Sequence, residues 1–451
     1  MDPHDSWRDS LDPLSSWALL GVLFALVAIA LPELGSDPWH FRPGAVDPQG
    51  ILAPLVRAAG EEWDVGIARA CAFLAALLCG AAAIPLLRGR RWPRLTGPLL
   101  VLAVGLLLML PSTLLQLGLR QSTERWFYTN DSTFQIELAG DLIRDGHDPY
   151  GHDFRGSGLE RFYTRDGSVS PRVLRREVAL DHYAYFPGTA ITAVAWGWLP
   201  HPFDDYRLFI LLCTLGGLVA ALAFRGPLGW RVALGALLVC NPIAVRSAWF
   251  GQNDAPSLLL TVLAFALITR RRFGWAAASL AGAILLKQFA LVALPFAALM
   301  LVHAGASRAE LKRAALSGGG VLALGILPFL LWDPVAFYED TIKYGAGTYK
   351  IVGYGLSAML VRAGVLADRD GSYPFALIAL LTWVPLTIWL LLVQRRSAAL
   401  WTGAVGFALS ILWLMFIGRT FNNYYLIWPL TGAAIAALLA AAGARTGARD
   451  P

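Results

Sequence analysis

Charged side chains are scarce in this chain. Aspartate, glutamate, lysine and arginine together make up 15% of its 451 residues, while hydrophobic residues make up 57%. The mean hydropathy is +0.55, which excludes an ordinary soluble globular protein. Apolar runs long enough to cross a membrane as helices recur along the sequence, and the alternating pattern of barrel strands is missing. The chain is therefore predicted to be an all-α integral membrane protein.

Cysteines are few, and the signatures of soluble enzymes are missing. The four cysteines, Cys71, Cys79, Cys213 and Cys240, all lie inside apolar runs and lack the spacing of metal ligands. We therefore expect neither a disulfide nor a zinc site. No other metal and no cofactor is expected either. The sequence also contains no phosphate-binding Gly-Lys-Ser/Thr loop, no dinucleotide-binding turn, no His-Glu-x-x-His and no Gly-x-Ser-x-Gly.

The charges that are present favour the positive sign, with a net charge of +6 and a pI of about 9.2. Arginine and lysine cluster in short loops at residues 88–94, 225–231, 270–272, 308–313 and 395–396. Counting crossings places all of these clusters on one side, which the positive-inside rule makes cytoplasmic. Both termini are then cytoplasmic, and the basic residues are expected to meet lipid headgroups and not nucleic acid.

The apolar runs predict a bundle of about 12 transmembrane helices in one domain, residues 1–451. They lie at residues 15–33, 67–87, 96–117, 206–223, 231–247, 255–269, 274–287, 289–303, 314–332, 374–393, 398–417 and 423–441. A further apolar segment, 186–200, is short and lies between two prolines. A crossing there would move the later arginine clusters outside, so we predict a juxtamembrane or re-entrant helix. Residues 118–205 then form one large external loop.

The first candidate residue is Asp131, which follows Tyr128-Thr-Asn130 at the start of an amphipathic stretch in this loop. A carboxylate at a membrane surface can take a proton from a hydroxyl, and a helix N-terminus can bind phosphate. The alternative is structural. Ser132 to Gln135 match a capping box, and Asn130 or Asp131 could cap the same helix. The sequence leaves both interpretations open.

Two other segments of the large loop are rich in polar and aromatic residues. The first ends the amphipathic stretch and reads Gly146-His147-Asp148-Pro-Tyr150. The second leads into the 186–200 segment and reads Tyr183-Ala-Tyr185-Phe-Pro187. The second segment is a candidate for the wall of an acceptor site, and simple packing is its alternative.

A polar turn, Gln252-Asn253-Asp254, precedes the predicted span at 255–269. Asp254 followed two residues later by a proline is an ordinary helix start. We predict that this turn is exposed on the external side, where two adjacent amides have no structural purpose. Gln252 and Asn253 are therefore candidates for binding a substrate.

Two basic residues lie close to the predicted external surface. Lys287, followed by Gln288, interrupts an apolar stretch that fits two short helices, and a lysine there needs water or a counter-charge. It is a candidate for holding a phosphate, with a snorkelling lysine as the alternative. Arg419 opens the last span together with Asn422, Asn423 and Tyr424, which offer donors to sugar or phosphate or else form an aromatic belt.

These segments, in this order, resemble the GT-C superfamily of polyprenyl-phosphate-sugar-dependent glycosyltransferases, and most of all the bacterial mannosyltransferase type, glycosyltransferase family 87. The resemblance covers roughly residues 100–440. It implies a GT-C-like bundle in the bacterial inner (plasma) membrane, with a site that faces the periplasm. Two predicted helices, 15–33 and 67–87, precede the usual start, and the adjacent acidic pair of some members is missing, which weakens the case for a metal.

The resemblance also implies a reaction. An aspartate, here Asp131, is the general base on an acceptor hydroxyl, which attacks the donor sugar once with inversion while the lipid phosphate leaves. Lys287 and Arg419 are the candidates for the departing phosphate. The partners implied are a polyprenyl-phosphate sugar, mannose by default, and a glycolipid or glycan acceptor. Expected substrate-binding residues are Tyr128, Asn130, Gln135, His147, Asp148, Tyr150, Tyr185, Gln252, Asn253, Asp254, Gln288, Asn422, Asn423 and Tyr424.

Two other functions fit parts of the sequence. About 12 spans with both ends inside is also a common layout of secondary transporters, although no internal repeat is visible and the polar groups gather at one face. A polymerase or ligase of polyprenyl-linked glycans would use loop arginines and histidines, for which His147, His152 and His182 are available.

Overall fold

The structure is a computed structural model of the chain. It describes residues 11–31, 47–59, 66–163, 177–348 and 350–447. Both chain ends, which we predict to be cytoplasmic, and residues 164–176 of the predicted large loop lie outside the described residues.

Helices form almost all of the regular structure in these ranges. Numbered in chain order, they are α1 (Pro13–Ala30), α2 (Ala53–Ala59), α3 (Gly66–Leu87), α4 (Thr96–Gln121), α5 (Asp131–Arg144), α6 (Pro187–Trp196), α7 (Tyr206–Leu222), α8 (Leu228–Cys240), α9 (Pro242–Phe250), α10 (Ala255–Thr269), α11 (Phe273–Leu286), α12 (Leu294–His303), α13 (Arg308–Trp332), α14 (Pro334–Tyr338), α15 (Leu356–Arg362), α16 (Phe375–Ile378), α17 (Val384–Ser397), α18 (Leu400–Ile417) and α19 (Ile427–Gly447).

Shorter elements complete the regular structure. Short 3₁₀-helices lie at Leu159–Tyr163, Val178–Asp181, Gln288–Ala293 and Asn423–Leu426, and π-helical turns at Glu339–Thr348 and Ala379–Trp383. Two strands, β1 (Val352–Gly353) and β2 (Thr420–Phe421), pair in parallel with Val352 opposite Thr420.

The chain divides into two compact units. Among the described residues, the first unit holds those up to Phe134 and those from Trp196 to Leu259, and the second holds Gln135–Ala195 and Leu260–Gly447. Helices α5 and α10 each begin in the first unit and continue in the second.

Seven helices within the described ranges are long and apolar enough to cross a membrane, which takes about 20 residues. They are Pro13–Ala30, Ala68–Leu87, Thr96–Gln121, Arg308–Trp332, Phe375–Ser397, Leu400–Ile417 and Asn423–Gly443. Helices α8 and α9 meet at a 44° bend and together make an eighth. The prediction of an all-α membrane protein is therefore confirmed, whereas about 12 crossings is not.

The other predicted crossings coincide with shorter or broken helices. Four of them fall on Tyr206–Leu222, Ala255–Thr269, Phe273–Leu286 and Gln288–His303. The fifth, 231–247, is interrupted because Pro242 has no N–H to continue the ladder of α8. Asn241 instead caps α9, where its side chain accepts from the N–H of Ala244 at 2.9 Å.

Two boundaries of the predicted loop are now defined. Helix α4 continues to Gln121, so the predicted start of the large loop at residue 118 falls inside the helix. The apolar 186–200 segment forms α6, whose 10 residues are too few to cross a membrane. This agrees with the predicted short helix, and its position at the membrane surface stays a prediction.

Helix α4 lies at the centre of the first unit. Its residues Val101, Val104 and Leu108 are fully buried. Gly105 allows α8 to approach closely, because a Cβ atom there would collide with Val239. Such contacts through small residues are typical of helix packing in membranes. The polar segment that carries Asp131 therefore follows a firmly packed helix.

Candidate functional site

Asp131 is the first residue of α5, and its neighbour Asn130 caps the helix. The Asn130 Oδ1 accepts from the backbone N–H of Ser132 at 2.8 Å and from the Ser132 hydroxyl at 2.5 Å. The predicted capping box from Ser132 to Gln135 is wrong, because Gln135 donates to the His182 carbonyl at 2.8 Å. With Asn130 as the cap, the Asp131 carboxylate accepts from the Ser132 N–H at 2.8 Å, and its own backbone N–H also interacts with it.

The electrostatics of Asp131 suit a proton acceptor. The residue is half-buried, and desolvation raises the pKa of its carboxyl, although the hydrogen bond from Ser132 opposes this shift. Among the basic side chains that the structure describes, none forms an ion pair with Asp131. A partly accessible carboxylate with a raised pKa and no cation beside it can accept a proton from a hydroxyl.

A buried ion triad fixes the segment that leads to Asp131. Asp205 accepts from Arg120 at 2.5 Å and from Arg207 in a two-pronged contact at 2.9 and 2.7 Å. All three side chains are less than a tenth exposed. The two guanidinium groups hold the pKa of Asp205 well below its usual range, against the opposing effect of burial.

Each arginine of this triad also binds the backbone of the loop before α5. Arg120 donates from Nε to the Arg125 carbonyl at 2.7 Å, and Arg207 donates to the Tyr128 carbonyl. Tyr128 is itself buried and takes a positive φ of 52°. The triad thus holds this loop at two points. The triad is not among the features predicted from the sequence, although charged residues beside the apolar run at 206–223 were a signal.

The Gln252-Asn253-Asp254 turn packs against the start of α5 in the first unit. The Thr133 hydroxyl donates to the Gly251 carbonyl. Gln252 accepts from the Ser247 hydroxyl at 2.6 Å. The three turn residues are 3–7% exposed, so the prediction of an exposed turn is wrong. The turn is buried where α5 contacts it, so the side-chain amides of Gln252 and Asn253 lie inside the protein.

Further buried polar groups of the first unit lie close in sequence to these two segments. The Thr129 hydroxyl and the indole N–H of Trp249 are buried without a hydrogen-bond partner among the described residues. Buried polar groups are normally satisfied, and an exception calls for an explanation such as backbone strain, a catalytic role or a bound water. Thr129 directly precedes Asn130 and Asp131 and is not among the residues predicted from the sequence.

In the second unit, Asp340 joins three separate segments. Its Oδ2 accepts from the backbone N–H groups of Gly151 and Tyr183 at 2.9 and 3.0 Å, and its Oδ1 lies 2.5 Å from Nδ1 of His182. The carboxylate is 1% exposed. The His182 ring stacks on Tyr344 with a 4.4 Å centroid distance. This pair could not be predicted from a local pattern, because its members are 158 residues apart.

Tyr150 and Tyr185 belong to the same assembly. The Tyr150 hydroxyl donates to the Tyr185 carbonyl at 2.9 Å, and its ring lies 4.9 Å from that of Phe337 and 5.5 Å from that of Tyr183. Burial raises the pKa of Tyr150 well above its usual value. Tyr150 is therefore a neutral packing residue whose donor is already in use.

Asp148 lies beside this aromatic cluster. Its Oδ1 accepts from the Tyr150 N–H at 2.9 Å. Burial raises the pKa of Asp148, and the charges of Asp333 and Asp340 add to the shift. His147, in contrast, is exposed, and its backbone N–H closes α5 on the Leu142 carbonyl at 2.8 Å.

Lys287 occupies a break between α11 and the following 3₁₀-helix, as predicted. Its backbone is extended there, and the side chain is 7% exposed. The ammonium lies 5.6 Å from the ring centroid of Phe289 and 5.7 Å from that of Tyr425. Gln288 donates to the Ala184 carbonyl at 2.8 Å. The break is thus attached to the Tyr183–Pro187 segment, and aromatic faces stabilise the buried cation.

Arg419 lies in the turn between α18 and α19. It is 5% exposed and donates to the Gly371 carbonyl at 3.2 Å. Desolvation lowers the pKa of Arg419, with the nearby Asp370 opposing the shift. In the same turn Asn422 donates to the Tyr424 hydroxyl at 3.2 Å, while Asn423 is exposed.

The predicted residues therefore fall into two described groups. The first unit contains Tyr128, Asn130, Asp131, Gln252, Asn253 and Asp254. The second unit contains Gln135, His147, Asp148, Tyr150, Tyr185, Lys287, Gln288, Arg419, Asn422, Asn423 and Tyr424. In the ranges that the structure describes, no three histidine, cysteine, aspartate or glutamate side chains cluster as metal ligands would.

Comparison of the chain with protein-family models, with characterised proteins and with solved structures found no match.

Proposed function

We propose that this protein is a membrane glycosyltransferase that moves a sugar from a polyprenyl-phosphate donor to a hydroxyl of a glycolipid or glycan acceptor. The proposal depends mainly on one observation. Asp131 is a half-buried carboxylate at a helix N-terminus, and its pKa is raised. The order of motifs in the sequence, which resembles GT-C glycosyltransferases of family 87, supports it. Mannose is the donor sugar expected by default.

In the proposed reaction, Asp131 accepts the proton of the acceptor hydroxyl, to which it must approach within about 3 Å. The acceptor oxygen forms a bond to C1 of the sugar as the bond from C1 to the phosphate oxygen breaks. The electron pair leaves with the polyprenyl phosphate, and the configuration at C1 inverts. The raised pKa of Asp131 supports this role, because it makes the carboxylate a stronger base.

The leaving group becomes more negative during this step, since a phosphodiester is converted into a phosphomonoester. We propose Lys287 and Arg419 as the cations that stabilise the added charge. Both are nearly buried, so little solvent screens them. Lys287 also lies at a helix break, where its backbone does not continue α11.

The remaining candidate residues differ in whether their side chains already form hydrogen bonds within the protein. Gln135, Tyr150 and Gln288 hold backbone carbonyls, so we propose that they shape the site without binding the sugar. Exposed or partly exposed candidates are better suited to contact substrate, and these are His147, Asp148, Asn422, Asn423 and Tyr424.

We further propose about 12 crossings of the bacterial inner membrane, with both termini in the cytoplasm and the site facing the periplasm. The arginine clusters support this orientation. The bent pair and the four shorter apolar helices would supply the crossings beyond the seven long ones.

The test is sugar transfer by the purified protein in nanodiscs. Labelled polyprenyl-phosphate mannose is offered with a crude glycolipid acceptor pool, and Asp131→Asn is compared with wild type. Loss of a general base should lower the rate by about 10²- to 10⁴-fold while donor binding is retained. Asp145→Asn, which removes an exposed carboxylate just beyond α5, is the matched control and should keep the wild-type rate.

The other outcomes separate the alternatives. Transfer that survives Asp131→Asn would reject the assigned base and keep the reaction class. If no polyprenyl-phosphate sugar supports transfer, the glycosyltransferase proposal fails, and uptake of sugars or glycolipids into proteoliposomes tests the secondary transporter instead.

A further inference from the structure

A cavity of about 360 Å³ lies among α10, α11, α12 and α13 in the second unit. This volume is within the range of about 300–1,000 Å³ that is typical of small-molecule sites. Its lining is made only of alanine, glycine, leucine and isoleucine side chains. A polar ligand would find no side-chain hydrogen-bond partner in this lining, so the part of a ligand that fits it best is hydrocarbon.

The cavity is open to the side. The lining residues Leu294, Ala298, Ala315 and Gly319 are exposed. Gly319 contributes to the opening directly, because a Cβ atom at this position would have no heavy atom within 4 Å. An acyl chain can therefore enter from the bilayer without separating the helices.

Basic residues border one end of the cavity. Ile268 in the lining is followed by Arg270, Arg271 and Arg272, and Leu311 in the lining is flanked by Arg308, Lys312 and Arg313. All six basic side chains are exposed. We call these six residues the basic cluster.

The two halves of the basic cluster lie close together. Arg271 donates to the carbonyls of Ala304 and Gly305, just before α13, at 2.7 and 3.0 Å. Glu310 interacts electrostatically with both Arg271 and Arg313. This carboxylate is committed to the capping box of α13, in which it accepts from Ser307 at 2.8 Å. One occupied carboxylate among six cations leaves the cluster strongly positive.

We propose that this cavity is a binding site for an anionic phospholipid, with one acyl chain between α11, α12 and α13 and the headgroup phosphate on the basic cluster. An apolar lining beside a cationic border matches the two ends of such a lipid. Clusters of four to eight basic residues at a membrane surface are known to attract anionic lipids. The site is independent of the glycosyltransferase proposal, because it uses none of the candidate residues of that reaction.

The test measures retained lipid by native mass spectrometry of the full-length protein in detergent. Phosphatidylglycerol and phosphatidylcholine with identical acyl chains are titrated separately. We expect phosphatidylglycerol to bind at least tenfold more tightly. Arg272→Gln with Arg313→Gln should remove that preference, since each basic residue contributes about fivefold near a surface.

A pair of neighbouring glycines tests the cavity itself. Gly319→Leu places a side chain in the cavity, whereas Gly320→Leu places one on the same helix outside the lining, and neither has a heavy atom within 4 Å of its new Cβ. Gly319→Leu should lower binding of both lipids by about tenfold or more, and Gly320→Leu should leave it unchanged. Replacing glycine by leucine favours a helix, so folding is not at risk.

Three results would overturn the proposal. Equal retention of the two lipids by wild type would show ordinary boundary lipid without headgroup recognition. Equal binding by Gly319→Leu and Gly320→Leu would show that the lipid lies elsewhere on the basic surface. Glycerol phosphate offered alone should not displace the bound lipid, and displacement would reduce the site to a phosphate-binding surface.

Discussion

The hydroxyl of Thr133 donates to the carbonyl of Gly251, two residues that are 118 positions apart in the chain. This hydrogen bond joins the first turn of α5 to the turn that carries Gln252, Asn253 and Asp254. Two polar segments that the sequence presents separately are therefore parts of one assembly in the first unit.

Gly251→Ala should disturb this assembly. Gly251 has a φ of +94°, and a Cβ atom there would lie 2.5 Å from the Thr133 hydroxyl oxygen. Gly89→Ala is the matched control, because Gly89 has a φ of +71° and no heavy atom within 4 Å of a new Cβ. We expect about 1–2 kcal/mol of destabilisation for Gly89→Ala from the backbone alone and more for Gly251→Ala, measured by unfolding in detergent. Equal losses would contradict the role of the Thr133 contact.

Arg207→Met should be among the most destabilising substitutions in the first unit. It leaves the buried Asp205 with one arginine and frees the Tyr128 carbonyl, and removing one partner of a buried ion pair costs about 3–5 kcal/mol. Arg155→Met is the control, because the Asp153 and Asp181 side chains that it contacts are 63% and 45% exposed, and ion pairs at the surface contribute at most about 1 kcal/mol. A loss for Arg207→Met no larger than the control would mean that the triad does not stabilise the loop.

The triad also predicts how stability depends on pH. The folded-state pKa of Asp205 lies below its unfolded value, so its contribution is complete above an unfolded pKa of about 3.9 and is lost as the pH falls through the folded pKa. The free energy of unfolding should therefore decrease below about pH 4. In Asp205→Asn this part of the acid dependence should disappear. Parallel acid curves for the two proteins would exclude Asp205 as the titrating group.

The pH profile of sugar transfer should report on Asp131. Its pKa is raised by desolvation, so the fraction of the base form, and with it the rate, should increase through a midpoint above the ordinary aspartate value. The residual rate of Asp131→Asn should lack this rise. A wild-type midpoint at or below the ordinary value would contradict the desolvated base.

Lys287→Met should lower kcat of sugar transfer by about 10²- to 10³-fold if the ammonium stabilises the leaving phosphate. Lys287→Arg keeps the charge and should retain more of the rate. Lys343→Met is the control, because Lys343 is exposed and pairs with Glu339 at 2.9 Å. A purely structural role would give the opposite pattern, with both Lys287 variants unstable and kcat of the folded fraction unchanged.

The helices were predictable to a large degree, and the physical reason is the bilayer. A segment in hydrocarbon must satisfy its backbone hydrogen bonds internally, so long apolar runs become helices whatever they contact later. The runs at 96–117 and 398–417 became α4 and α18 with small changes at the ends. The length of the apolar run did not predict one helix at 231–247, because Pro242 and the cap from Asn241 interrupt the backbone hydrogen bonds of the helix there.

The candidate site was predictable only where a polar residue stands out against its neighbours. Lys287 and Asp131 were found in this way. Gln135 was misassigned to a capping box, because its partner His182 lies 47 residues away. Asp340 was missed for the same reason, since its partner His182 is 158 residues away. Asp205 lies two residues before Arg207, but its other partner, Arg120, is 85 residues away, so the local sequence shows only part of the triad.

The buried triad of Arg120, Asp205 and Arg207 constrains how this chain can change during evolution. Replacing one arginine leaves the buried Asp205 carboxylate incompletely paired, which is destabilising. Replacing all three residues by apolar residues of similar volume often leaves stability unchanged. Single substitutions therefore pass through an intermediate of low stability, and related chains should keep all three residues or lose them together. The loop before Asp131, which depends on two of these arginines, should be inherited with them.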